Sequence, residues 1–105
     1  MNTKKLKPYG VKEMEKEFGV LTIAIMLVAN RLGEEISQKD FAKLLGITSA
    51  SLCDMEKGRK IPSAIRASKI AKKLGMLELS WVEMAFQDQL RKDKIYCKVR
   101  LENAS

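Results

Sequence analysis

The chain concentrates its charge in one stretch. Residues 37–75 hold nine basic side chains (Lys39, Lys43, Lys57, Arg59, Lys60, Arg66, Lys69, Lys72 and Lys73) against Asp40, Asp54 and Glu56. That stretch carries +6 of a formal +7, and the flanks are close to neutral. Ammonium and guanidinium groups at this density suit phosphate, which is the electrostatic footprint of a nucleic-acid binder. A solvated lysine-rich surface gives the same count. Other chemistries lack their residues. There is no His, and Cys53 and Cys97 stand alone, which excludes a His-dependent enzyme and a Cys/His zinc site. No carboxylate pair, glycine-rich phosphate loop or nucleophile–base set stands out, so no enzyme and no cofactor is expected.

A length of 105 residues is one domain, 1–105, and 46% hydrophobic residues suffice for a core. The apolar run Val20–Ala29 is ten residues, against roughly 20 for a membrane span. Glu13, Glu15 and Glu17 separate it from Lys4, Lys5 and Lys7, unlike a signal peptide. A cytoplasmic protein with reduced cysteines and no membrane partner is expected.

The elements that must carry these charges are helices with clear punctuation. A short one is expected near Val11–Phe18, ended by Gly19, and the next over about Thr22–Leu32, stopping at Gly33. The second is apolar nearly all round, which suits the centre of a bundle or an interface. Ser37 reads as an N-cap, with Phe41, Ala42, Leu44 and Leu45 inward and Gly46 as stop. Thr48 caps a helix to Lys57, stopped by Gly58. Ser63 caps another, with Ile65, Ile70, Ala71 and Leu74 on one face and Gly75 at its end. Ser80 and Glu83 form a capping box for about Trp81–Arg91, with Val82, Ala85, Phe86 and Leu90 as apolar stripe. Trp81 and Phe86 read as core. Then the period changes: Ile95, Cys97, Val99 and Leu101 alternate with polar residues, a strand pattern. One strand alone is unstable in water and needs a symmetry mate, the N-terminal segment or another protein.

Residues 38–55 fit two helices crossing steeply. Phe41, Ala42 and Leu45 face inward, and Ala42 is small where the second helix passes over it. Gly46 takes the backbone conformation that a β-carbon penalises. Ile47 plugs beneath the turn, and Leu52 and Met55 anchor the second helix. This is a helix-turn-helix. The segment SQKDFAKLLGITSASLCDMEKGRKIP resembles the lambda-repressor-like, or Xre/Cro, helix-turn-helix family. Gln38, Ala42, Gly46, Leu52, Glu56, Gly58 and Pro62 stand where that family's pattern places them, and the resemblance covers about Thr22–Gly75. It implies an all-α fold: a bundle of about five helices whose third enters the DNA major groove. Extra N- and C-terminal helices and a short C-terminal β-strand are expected around it. The core would span about 22–75, and 80–101 would make dimer or partner contacts.

Residue roles follow from that resemblance. Arg31 and Glu56 are expected to form a structural ion pair. Gln38, at a helix N-terminus, is placed to hold a phosphate, and Thr48 can reach one. Ser49, Ala50, Cys53, Asp54 and Lys57 share the outward face, and the family reads bases from the positions of Ser49, Ala50 and Asp54. Ala50 can touch a thymine methyl and Asp54 can accept from a cytosine amino group, though Asp54 also repels phosphate and can pair with Lys57. Arg59 and Lys60 suit the backbone. The basic arm Lys4–Lys7 could reach a minor groove, but a disordered tail is the plainer reading. Cys53 reads as a small, partly buried side chain rather than a redox switch.

Two functions are compatible with these residues. One is a repressor that binds a palindromic operator in double-stranded DNA as a homodimer. The other resembles the HigA-type antitoxins: a module that neutralises a toxin protein through the strand Ile95–Leu101 and represses its own promoter.

Overall fold

The computed structural model describes residues 21–104. The helix expected at Val11–Phe18 and the arm Lys4–Lys7 lie outside the described residues. Five helices follow in order: α1 Ile23–Glu34, α2 Gln38–Leu45, α3 Ser49–Glu56, α4 Ala64–Leu74 and α5 Glu78–Lys92. No strand occurs among the described residues.

Local chemistry sets most of the ends. Thr22, Ser37, Thr48 and Ser63 each accept a hydrogen bond from the backbone N–H three residues on, as N-caps do. Gly46 and Gly75 close α2 and α4 with φ near 70°. The next residues, Ile47 and Met76, donate back to Ala42 and Ala71 at 3.0 and 2.9 Å.

Two ends fall elsewhere than expected. α1 runs past Gly33, and Glu35 takes the left-handed conformation with φ 56°. The apolar anchor decides this. Ile36 packs on the core, so the reversal must come immediately before it rather than at the glycine. The capping box at Ser80 and Glu83 does not form either. α5 already starts at Glu78, with Leu77 at the cap and no side-chain cap bond. Ser80 therefore sits inside the first turn, and the Ser68 hydroxyl donates to Glu78 at 2.6 Å, tying α4 to α5.

Trp81, Phe41, Ile23, Leu27, Leu52 and Ile70 are fully buried at the centre. α5 packs chiefly on α4, and α1 spans α3 and α5. α1 is not wrapped all round: Ile23 and Leu27 are buried, while Ile25 and Leu32 face outward. Leu44, Ile65 and Phe86, read as core from spacing, are exposed. Ile65 is 68% exposed because it lies nearly opposite Ala67 and Ala71, which carry the inward arc of α4. On α5 the inward register is Trp81 and Ala85, which turns Phe86 out.

The tail corrects the strand expectation. Among the described residues it pairs with no strand, and side chains of α5 bond three of its backbone groups. Gln87 donates to the Cys97 carbonyl at 2.7 Å and accepts from Val99 N–H at 2.8 Å. Glu83 accepts from Leu101 N–H at 2.8 Å. One glutamine amide thus takes the place of a neighbouring strand's peptide. Only Val99 and Leu101 of the alternating set are partly buried.

Candidate nucleic-acid interface

α3 is held from behind and open in front. Leu52 and Met55 are buried, while Thr48, Ser49 and Ala50 at its N-terminus are exposed. The Thr48 oxygen accepts the cap bond from Ser51 N–H, which leaves its hydroxyl proton free to donate outward.

Behind α3 stands the expected ion pair. Arg31 Nε and Nη2 donate to the two Glu56 oxygens at 2.9 and 3.1 Å. This two-pronged geometry suits a guanidinium and a carboxylate. The bond to Glu56 raises the Arg31 pKa further. The Glu56 side chain is 4% exposed and receives a third bond, from Gln38 Nε2 at 3.0 Å. The Gln38 amide expected on a phosphate is therefore turned inward on one side. It locks the start of α2 to the end of α3 and to α1. The backbone N–H groups of Gln38 and Lys39 have no partner among the described residues and stay available at the positive end of α2.

The base-facing candidates are not equally free. Asp54 does not pair with Lys57, which caps α3 as an exposed residue. It accepts from Arg59 Nε at 2.9 Å and lies 3.9 Å from Lys60 Nζ. The Asp54 carbonyl also accepts from the N–H groups of Arg59 and Lys60. Gly58, with φ 76°, turns the chain back to permit this. Arg59, Lys60 and Asp54 thus form one cluster, and the bond to Asp54 raises the Arg59 pKa. Cys53 is half-buried beneath Arg59 Nη2 at 3.7 Å.

Two features were not visible in the spacing. Arg66 on α4 donates to Ser51 on α3 at 3.3 Å. Lys73, near the other end of α4, brings its Nζ against Gly46. Both are basic residues of the charged middle stretch. Their positions, beside α3 and beside the turn before it, depend on how α4 docks, which no local signal encodes.

A family model described as helix-turn-helix matches residues 29–82, just over half of the chain. That span takes in α2, α3, α4 and the first turn of α5. No curated protein and no solved structure matches the chain. Among the described residues no helix is long and apolar enough to cross a membrane.

Proposed function

The chain belongs to the lambda-repressor-like helix-turn-helix family, and from that premise we propose that it is a sequence-specific repressor that binds a palindromic operator as a homodimer. The observation that carries this is the exposed end of α3, Thr48–Ala50, braced by the buried Leu52 and Met55 and by the Arg31–Glu56–Gln38 lock. Ser49 and Ala50 face base edges. Thr48 and the first N–H groups of α2 hold phosphates, and Lys57, Arg59 and Lys60 lie along the backbone. Gln38 acts mainly as a positioning residue. Asp54 reads a base only where Arg59 releases it. The dimer contact falls to α5, where Phe86 is 45% exposed.

No specific observation favours the antitoxin alternative. Selection of random duplexes by the purified protein at near-physiological salt tests the repressor. Recovery of a palindrome with half-sites about 10 base pairs apart supports it. Recovery of only non-specific DNA refutes sequence-specific recognition.

A further inference from the structure

α4 carries no acidic side chain. At about 100° per residue, Arg66, Lys69 and Lys73 fall within one arc of about 60°, away from the buried Ala67 and Ala71. They line a half-open cleft of about 350 Å³ between α4 and the turn joining α2 to α3. Leu45, Gly46, Ile47, Ser63, Ile65 and Ile70 complete the wall, so the three cations stand over a partly apolar floor, and no carboxylate borders it. The cleft holds many times the liquid volume of a water, about 30 Å³.

Arg66, Lys69 and Lys73 make no ion pair among the described residues. Three like charges around one hollow repel one another until an anion arrives. The C-terminal end of α2 attracts the Lys73 ammonium, yet no hydrogen bond from Lys73 forms there, and that attraction does not account for Lys69. Gly46 leaves the room: a β-carbon on it would stand 3.1 Å from Lys73 Nζ.

We propose that this cleft is a second phosphate site, which holds a DNA backbone phosphate beside the groove entered by α3. The inference rests on the DNA-binding function proposed above and extends the contact to α4. Arg66 couples the two, since it also bonds Ser51 on α3. A phosphate in the cleft therefore helps fix the angle of α3.

The test compares neighbours on one helix. Lys73 lines the cleft and Lys72 does not. Binding of a random-sequence duplex and of the selected operator is measured across a salt series for Lys72→Gln, Lys73→Gln and Lys69→Gln/Lys73→Gln. Lys73→Gln is expected to flatten the log–log salt slope by about 0.9 and the double variant by about 1.8, equally on both duplexes. Lys72→Gln is expected to leave the slope unchanged. Equal effects of Lys72→Gln and Lys73→Gln overturn the site, because net charge alone then explains them. No change in either also overturns it. Calorimetry with inorganic phosphate separates a free-anion site: binding at near-physiological salt that is lost in the double variant reassigns the cleft and overturns the duplex proposal. Slopes that separate as expected in a protein without sequence preference sustain the cleft while removing the repressor.

Discussion

Arg59 Nε donates to the Asp54 carboxylate at 2.9 Å, so a candidate backbone-contact residue and a base-reading candidate hold each other. The pair is on the surface, with Arg59 more than half exposed. Its consequence is for binding rather than folding. Bound together they present little net charge, and a phosphate competes with Asp54 for the guanidinium.

Arg59→Ala is therefore expected to do more than delete one phosphate contact. It flattens the salt slope by about 0.9 and leaves the Asp54 carboxylate facing DNA, so affinity falls on all sequences. Asp54→Ala frees Arg59 and tightens non-specific binding. In the double variant the loss is smaller than after Arg59→Ala alone. Titrations of the four proteins close the cycle, and strict additivity would falsify the competition.

Gly33 and Gly46 are expected to respond oppositely to alanine. Gly33 is inside α1 with open space where a β-carbon would go. Alanine there should stabilise by about 0.5–1 kcal/mol. Gly46 has φ 74°, and a β-carbon there would stand 3.1 Å from a lysine end, so alanine should cost about 1–2 kcal/mol. Urea unfolding of both variants checks the signs, and a destabilised Gly33→Ala protein contradicts the position of the α1 terminus.

Asp88 links α5 to the start of α1 by accepting from Ile23 N–H at 2.9 Å, and it also accepts from Arg91. Burial raises its pKa, and these two partners only partly offset that. The folded chain thus binds the Asp88 proton more readily than the unfolded chain. This residue's contribution to stability is largest below about 3.9 and declines as pH rises through its raised pKa. Asp88→Asn keeps an acceptor for Ile23 and should remove that component. Stability curves from pH 3 to 7 for the two proteins should differ by a pH-dependent amount. A constant offset between them contradicts the shift.

Gln87→Ala removes two of the three bonds by which side chains of α5 hold the tail, leaving the Glu83 bond and the backbone bond from Ile95 to Leu90. Faster hydrogen exchange at Val99 is expected, with little change in melting temperature, because the tail is mostly exposed. Unchanged exchange at Val99 means that other contacts anchor the segment.

The helix-turn-helix was legible in residue spacing alone. Ser37, Thr48 and Ser63 bond amides three residues away, and Gly46 and Gly75 supply a conformation that other residues resist. Both effects act within a few residues, so spacing reveals them. Arg31 with Glu56 was legible only through the family resemblance, since 25 residues separate them. Tertiary structure alone decided which apolar residues count. Leu44, Ile65 and Phe86 have the right type, but the arcs facing the core are set by neighbouring helices. The end of α1 followed Ile36 into the core rather than the glycine. The tail alternates like a strand, but alternation supplies no partner, and the nearest bonding groups were Gln87 and Glu83. Asp54 met Arg59, and Arg66 met Ser51, for the same reason: side-chain pairing across a turn or between helices depends on packing angles that no local pattern contains.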